Sequence, residues 1–227
     1  MATKTSIEKT KSDDGINKQE LVYNKIKEDI LNGTFKPGTV MVERKLCDIY
    51  NVSRSPVRAA LQNLLRDGLL TFYPGQGMQV PEIKLEDIFE IYDLMAMFQK
   101  YAVRISIKKM DEVSLKALDK ILIEIRKALD AEDVLDAVKW DIKFHEFLVE
   151  FSGSARLKSF YNQVSNQILR FLSSTLSDTQ LAERSYMEHR NIYACLLEND
   201  LLGAEDAIET HYQNTKQYYI DRLIQKM

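Results

Sequence analysis

The chain has 227 residues, of which 45% are hydrophobic, and its formal net charge is −3. This length suits one large or two small domains, and the hydrophobic content excludes disorder throughout the chain. No apolar run approaches membrane-spanning length, and the polar start of the chain has no signal-peptide core. Cys47 and Cys195 fall in predicted helices of different segments, which argues against a disulfide framework or a cysteine metal cluster. We therefore expect a cytoplasmic protein without a membrane partner.

The chain is predicted to begin with a disordered tail and a first helix. Residues 1–17 are polar and lack hydrophobic periodicity, so we expect them to be disordered. A helix of about four turns should follow, ended by Gly33, because apolar side chains then recur at helical spacing. These residues are Leu21, Val22, Ile26, Ile30 and Leu31.

The next stretch predicts two helices joined by a tight turn. Residues Val42–Tyr50 form the first helix, and Asn51 suits the left-handed position that ends it. Ser53 or Ser55 can cap the second helix, and Pro56 belongs in its first turn, where a missing N–H costs little. This arrangement is typical of a helix-turn-helix.

The second helix is predicted to have one inward and one outward face. Arg54 and Arg58 are four residues apart, so they share an outward face near the helix N-terminus. In a helix-turn-helix this end enters the DNA major groove, where arginine binds guanine or phosphate. A capped surface helix with two ordinary arginines is the alternative for this stretch alone. The apolar residues at helical spacing are Val57, Ala60, Leu61, Leu64 and Leu65.

A β-hairpin is predicted directly after the second helix. Leu69–Tyr73 and Met78–Val80 have the composition of short strands, and Pro74, Gly75, Gln76 and Gly77 lie between them. Such a hairpin is the wing that usually accompanies a helix-turn-helix, and its tip lets backbone N–H groups approach DNA. An ordinary surface hairpin is the alternative.

The charge distribution divides the chain into two parts. Residues 18–80 hold nine Lys and Arg against six Asp and Glu, whereas residues 81–227 hold nineteen against twenty-five. We predict a winged helix-turn-helix over 18–80, a linker over 81–84, and a helical domain over 85–227. The fold class is thus mainly α, with an antiparallel bundle of six C-terminal helices. Their predicted ranges are Leu85–Lys108, Val113–Ala131, Val134–Phe151, Ala155–Ser177, Thr179–Glu198 and Leu201–Gln225.

All three histidines of the chain lie in the helical part. Asp141 and His145 are four residues apart on one helix, and His189 and His211 lie on two other helices. Three imidazoles and a carboxylate form a first-row metal site if these helices face one another. Spacing alone does not show that they converge, and three unrelated histidines are the alternative.

Both parts resemble the GntR superfamily of bacterial transcription regulators, specifically the FadR branch with its helical FCD effector domain. In the first part the matching stretches are Leu31-Asn32-Gly33, Pro37-Gly38, Glu43-Arg44-Lys45-Leu46, Val52 to Leu61, Leu64 and Asp67-Gly68-Leu69. In the second part they are Asp141-x-x-Phe144-His145, Glu188-His189-x-x-Ile192 and Ala207-x-x-x-His211. The last three stretches carry the Asp and three His of the metal-binding members.

The resemblance implies a homodimer that reads a palindromic operator and binds a small metabolite, often a carboxylate, near the metal. The DNA-contacting residues it implies are Arg44, Ser53, Arg54, Pro56, Arg58 and Gly75. Two positions depart from the family pattern. Tyr92 stands where many members have an arginine that holds the ligand carboxylate, and Ala96 stands where a glutamate is often found. We assign Tyr92 to the effector pocket and leave the effector unidentified.

The function predicted from these residues is a DNA-binding transcription regulator, a repressor, that is controlled by a metabolite and is not an enzyme. Imidazole-rich ligation favours Zn²⁺, with Ni²⁺ and Mn²⁺ left open. Two alternatives remain at this stage. A small metalloenzyme could use open metal positions to activate water, or the metal could be purely structural.

Overall fold

The computed structural model describes residues 18–82, 84–172 and 178–224, so the predicted tail over 1–17 lies outside the described residues. The described residues form two compact units. The first unit holds residues 18–82 together with 166–172, and the second holds 84–165 and 178–224. The predicted mainly α class is confirmed, with nine α-helices and one two-stranded sheet in the described part of the chain.

The first unit is a helix-turn-helix with one additional helix and a hairpin. Its elements are α1 (Lys18–Leu31), α2 (Glu43–Tyr50), α3 (Arg54–Arg66), β1 (Thr71–Tyr73) and β2 (Gly77–Gln79). Both α1 and α2 pack against α3, because the apolar side chains of all three recur at helical spacing. The core of this unit comprises Val22, Ile26, Ile30, Met41, Leu46, Tyr50, Val57, Ala60, Leu61, Leu64, Leu69, Leu70 and Val80. Leu65, predicted to face inward, is only partly buried.

The turn between α2 and α3 has the predicted backbone. Asn51 is left-handed, with φ 55° and ψ 48°, and its N–H continues the last turn of α2. Ser53 is the residue before α3, but its side chain makes no capping hydrogen bond, so the predicted serine cap is absent from this end. Ser55 lies inside the helix instead. The first N–H groups of α3 therefore remain directed outward without a side-chain acceptor from Ser53.

The wing is present, but its first strand is two residues shorter than predicted and its second strand is displaced by one residue. Thr71 pairs with Gln79 and Tyr73 with Gly77 in an antiparallel ladder. The backbone N–H groups of Leu69 and Leu70 both donate to the Leu64 carbonyl, so these residues complete the end of α3 rather than begin a strand. At the tip, Gly75 has φ +77°, and the Gln76 N–H donates to the Tyr73 carbonyl. This is the geometry of a type II turn, which favours glycine at this position.

The second unit is helical. Its complete helices are α4 (Leu85–Ser106), α5 (Glu112–Asp130), α6 (Val134–Phe151), α8 (Thr179–Leu197) and α9 (Leu201–Ile224). It also holds residues 155–165 of α7 (Ala155–Leu172), whose remaining residues belong to the first unit. The predicted end of the first of these, Lys108, is wrong, because a 3₁₀ turn over Ile107–Lys109 replaces the last α-helical turn. The predicted ends at Ser177 and Gln225 lie outside the described residues.

Packing in the second unit joins helices that are distant in the chain. α4 packs against α6 and α9, α5 packs against α6 and α8, and α8 packs against α9. Asp111, Asp133 and Asp178 cap three of the helices by accepting backbone N–H groups, which stabilises their first turns. This packing brings α6, α8 and α9 together, and these are the helices that carry the histidines. No helix in the described ranges is long and apolar enough to cross a membrane.

Candidate DNA-reading surface and metal centre

An open surface on α3 carries the two arginines that the sequence predicted. Arg54 and Arg58 border a hollow of about 490 Å³ together with Ser55 and Ala59. We call this surface, formed by Arg54, Ser55, Arg58 and Ala59, the arginine face. Both arginines are exposed. The small side chains of Ser55 and Ala59 beside them leave room for a base edge or a thymine methyl group.

The other predicted DNA-contacting residues lie on α2, at the start of α3 and on the wing. Arg44 is exposed on α2, Ser53 is exposed just before α3, and Pro56 is half-buried in its first turn. Gly75 is exposed at the tip of the wing. The hollow itself is lined by neither Arg44 nor Gly75. Contact of these residues with DNA remains a prediction.

Sequence reasoning missed two residues of the arginine face and one residue at its edge. Ser55 and Ala59 follow the two arginines by one position and are four residues apart, so helical spacing alone could have placed them on the arginine face. Glu43 was quoted only as part of a motif. In the structure it accepts two hydrogen bonds from the Arg58 guanidinium, at 2.9 and 3.0 Å.

The three histidines of the second unit converge, as the metal prediction requires. Each offers a ring nitrogen, and these nitrogens lie within 4.8 Å of one another. We call His145, His189 and His211 the histidine cluster. Nε2 of His145 lies 3.1 Å from Nε2 of His189, and the rings of His189 and His211 have centroids 4.6 Å apart. All three side chains are buried, and His189 is completely inaccessible.

Burial keeps two of these imidazoles neutral. It lowers the pKa of His145 well below its ordinary value, and the neighbouring His189 lowers it further. Burial likewise lowers the pKa of His189, with His211 adding to the effect. Neutral imidazole is the form that binds metal ions.

A hydrogen-bond mismatch marks the centre of the cluster. If one Nε2 of the His145–His189 pair donates, the other must accept. The Nδ1 atom of His189 then has no hydrogen-bond partner in either tautomer, although it is fully buried. A buried polar atom without a partner costs about 1–3 kcal/mol. Oδ1 of Asp141 lies 3.6 Å from this nitrogen, beyond hydrogen-bond distance.

The donor set and the spacing fit a metal ion. Two imidazole nitrogens, each about 2.1 Å from one ion, lie roughly 3.4 Å apart at a tetrahedral angle and roughly 3.0 Å apart at an octahedral angle of 90°. The observed Nε2–Nε2 distance of 3.1 Å lies between these values. The structure carries three buried imidazole nitrogens that could hold a first-row transition metal.

Asp141, the predicted fourth ligand, lies beside the cluster. Its Oδ1 atom is 3.6 Å from Nδ1 of His189 and accepts a hydrogen bond from Ser185 Oγ at 2.8 Å. The group of three candidate ligands does not include it. Ligation by Asp141 therefore remains a prediction.

The residues that orient the cluster were not predicted. Glu188 Oε2 lies 2.8 Å from Nδ1 of His211, and Glu188 Oε1 accepts from Asn214 at 2.7 Å. This contact leaves Nε2 of His211 for a ligand, which is how carboxylates orient metal-binding histidines. The Tyr212 hydroxyl lies 3.2 Å from Nδ1 of His145. Glu188 could have been found, because it precedes His189 directly, whereas Tyr212 carries no sequence signal beyond its position next to His211.

Tyr92, assigned to the effector pocket, is buried next to this site. Its ring centroid is 6.4 Å from that of Tyr212 and 6.0 Å from that of Tyr219. Burial raises the pKa of Tyr92 well above its ordinary value, so the phenol remains a neutral hydrogen-bonding group. Ala96, one turn further along α4, is also buried. Effector binding by Tyr92 remains a prediction.

A winged helix-turn-helix followed by a helical unit with a buried histidine cluster defines a class of transcription regulators. Family comparisons give the same division. The model for bacterial regulatory proteins of the gntR family matches residues 18–80, and the FCD domain model matches residues 90–214. The chain belongs to the GntR family and carries an FCD domain. It is a transcriptional regulator with an effector-binding domain.

The chain is similar to named regulators over most of its length. It is 33% identical over 195 residues to the HTH-type transcriptional regulator YdhC of Bacillus subtilis, covering 85% of this chain and 86% of that protein. It is 26% identical to the HTH-type transcriptional repressor GlaR of Escherichia coli, covering 83% and 90%. FCD domains commonly bind metal, which agrees with the histidine cluster.

Solved structures share the fold. The chain matches E. coli McbR/YncC with a TM-score of 0.77 at 20% identity, covering 92% of this chain and all of that one. A GntR regulator from Rhodococcus matches with a TM-score of 0.74 at 22% identity, covering 89% and 97%. These likenesses support the winged helix-turn-helix followed by a helical domain.

Proposed function

We propose that the protein is a metabolite-controlled repressor, and that a metal in the histidine cluster forms part of its effector site. The convergence of three buried histidines in the FCD domain, two of them kept neutral by burial, is the observation that carries this proposal. The family membership supplies the DNA-binding role. The similarity to GlaR, a transcriptional repressor, supports the direction of control.

The proposed DNA contacts come from the first unit. Arg54 and Arg58 bind base edges or phosphates, with Ser53 and Pro56 at the same end of α3 and Arg44 on α2. Gly75 brings the backbone of the wing to the phosphates or the minor groove. The exposure of the arginine face and the lack of a side-chain cap on α3 both support this role, because charged groups and free helix N–H groups attract phosphates.

The proposed metal is Zn²⁺, with Ni²⁺ and Mn²⁺ as the other candidates, because imidazole donors suit these ions. His145, His189 and His211 hold it, and Asp141 is the fourth ligand. When bound, the ion supplies a Lewis-acid position for an oxygen atom of the effector. Tyr92 and Tyr212 border the pocket with phenol groups, so the metal rather than an arginine provides positive charge for a carboxylate.

The proposed assembly is a homodimer on a palindromic operator, because two identical heads match a two-fold DNA site. The exposed apolar side chains Phe89, Met97 and Tyr101 on α4 support a protein–protein contact, since Met97 and Tyr101 share one helix face. Sedimentation of the full chain at micromolar concentration tests this. A monomer under those conditions would contradict the dimer.

DNA binding by the zinc-loaded protein tests the proposed function. The DNA upstream of the protein's own gene should bind more tightly than a scrambled fragment of equal length, and a metabolite should release it. Equal binding of both fragments would overturn the regulator assignment. Specific binding that no small carboxylate or hydroxy acid alters would favour the purely structural metal.

A further inference from the structure

Glu43 and Arg58 form a two-bond ion pair at the edge of the arginine face. Glu43 is the first residue of α2, and Arg58 lies on α3. Nε of Arg58 donates to Oε1 of Glu43 at 2.9 Å, and Nη2 donates to Oε2 at 3.0 Å. The Arg58 side chain is 65% exposed and that of Glu43 is 35% exposed. A pair this exposed contributes little to the folding stability.

The pair uses only one edge of the guanidinium. This group has five N–H donors in a planar fork, and Glu43 occupies the edge formed by Nε and Nη2. The edge formed by Nη1 and Nη2 keeps its donors. A guanine accepts two hydrogen bonds from arginine through O6 and N7, and two neighbouring donors suffice. The carboxylate and a guanine can therefore occupy different edges of Arg58 at the same time.

We propose that Glu43 is a positioning residue for base reading, which holds the Arg58 guanidinium plane so that its open edge meets a guanine. This inference rests on the proposed DNA contact by Arg58. A long arginine side chain loses rotamer freedom on binding, and it loses less when a neighbour already holds it. Glu43 thereby makes the specific contact more favourable without touching the DNA.

The charge of Glu43 has a second effect. Its carboxyl is ionised at neutral pH, because the hydrogen bond from Arg58 holds its pKa below the ordinary value, and Arg54 adds to this. A carboxylate beside the arginine face weakens the attraction of Arg54 and Arg58 to any phosphate. Binding to DNA of arbitrary sequence depends mostly on phosphates. Glu43 therefore raises the ratio of specific to non-specific affinity in two ways: it favours the specific base contact, and it weakens the attraction to phosphates.

The test is the variant Glu43→Gln, which preserves size but removes the charge and one acceptor oxygen. Fluorescence anisotropy in moderate salt gives the affinity for the footprinted site upstream of the gene and for a scrambled duplex. We expect the ratio of the two affinities to fall by about 5-fold or more, within the range for loss of one arginine–guanine contact. Non-specific binding should tighten. A ratio within twofold of wild type overturns the inference.

A panel of sites with single base-pair changes separates positioning from general structural damage. Arg58→Ala should abolish discrimination at one base pair, and Glu43→Gln should weaken discrimination at that same pair. The double variant should discriminate no worse than Arg58→Ala alone. If Glu43→Gln weakens discrimination at a different base pair, or at no base pair, the positioning role is overturned. A shortened acid, Glu43→Asp, should restore part of the discrimination.

The second unit offers a matched control. Arg104 donates to Glu205 through the same two atoms, Nε at 2.7 Å and Nη2 at 3.0 Å, and its side chain is 59% exposed. Glu205→Gln should leave both DNA affinities unchanged. A change equal to that of Glu43→Gln would assign the effect to net charge and contradict the inference. A wild type that binds both duplexes equally overturns the proposed function and, with it, this inference.

Discussion

The arginine face and the histidine cluster differ in almost every physical respect. The arginine face is exposed and charged, and its residues lie within six positions of one another on one helix. The histidine cluster is buried, and its members come from three helices separated by up to 66 residues in the chain. The first can bind a charged partner without a large change in folding stability, whereas the second is coupled to folding.

This difference shows which interactions supply the binding free energy at each site. Exposed arginines gain affinity by displacing counterions from DNA, so their contribution weakens as salt rises. The imidazoles of the cluster are buried, so a metal bound there would be held by groups withdrawn from water. Changes at the arginine face should therefore appear in DNA affinity, and changes in the cluster should appear in metal content and stability.

The largest expected effect is on DNA affinity. Arg58→Ala should weaken specific binding by about 1–3 kcal/mol if the side chain binds a base, and Arg54→Ala/Arg58→Ala should weaken it further. Binding isotherms in moderate salt measure both. Arg104→Ala removes an equally exposed arginine from the second unit and should have no effect. Wild-type affinity in the double variant would remove the arginine face from the DNA contact.

Metal binding should raise the stability of the fold. With free metal a hundredfold above its dissociation constant, we expect about 2.7 kcal/mol of stabilisation, because the ion binds only the folded arrangement of three helices. Elemental analysis and thermal melts of wild type, His145→Ala and His211→Ala measure this. Cys195→Ser alters another potential metal ligand on α8, outside the cluster, and should retain the metal. Equal metal affinity in all four proteins would contradict the site.

A smaller effect is expected from the carboxylate behind the cluster. Glu188→Gln should lower metal affinity about 10- to 100-fold, since Glu188 orients His211 and increases its basicity. Competition with a chelator measures the affinity. Glu183→Gln, five residues earlier on the same helix, breaks an ion pair with Arg126 instead and serves as the control. Similar losses in both variants would show that the effect is not specific to His211.

An effect confined to acidic pH is expected on the stability of the metal-free protein. Burial lowers the folded-state pKa of His145 and His189, so the unfolded chain binds more protons as the pH falls below about 6.5. Stability is therefore complete above this pH and declines below it, by up to about 1.4 kcal/mol per pH unit for each histidine. Urea unfolding between pH 5 and 8 measures the slope. His145→Gln should reduce it, and a flat profile in wild type would contradict the buried neutral state.

Local features of the fold could be predicted from the sequence. The left-handed turn at Asn51 and the wing tip at Gly75 follow from residue type, and the helix limits at Val134 and Phe151 follow from periodicity. The strand limits could not be predicted. The buried pair Leu69 and Leu70 has strand-like composition, but its N–H groups return to the carbonyl of Leu64.

The two sites were predictable to different degrees, because one lies on a single helix and the other is assembled from three helices. Arg54 and Arg58 share a face because helical geometry fixes neighbours four residues apart. His145, His189 and His211 share no such local rule, and only the resemblance to a family placed them together before the structure did. The Glu43–Arg58 pair spans two helices and 15 residues. No pattern of residue types specified that contact, because it depends on the angle between α2 and α3.

A paired measurement of zinc and DNA binding tests the separation of the two sites most directly. Zinc content per chain and affinity for the upstream DNA are determined on the same preparations of wild type, Arg54→Ala/Arg58→Ala and His211→Gln. We predict that the arginine variant retains zinc at the wild-type level but loses specific DNA binding, whereas His211→Gln loses zinc. Loss of zinc in the arginine variant, or specific DNA binding that survives in it, would contradict the account.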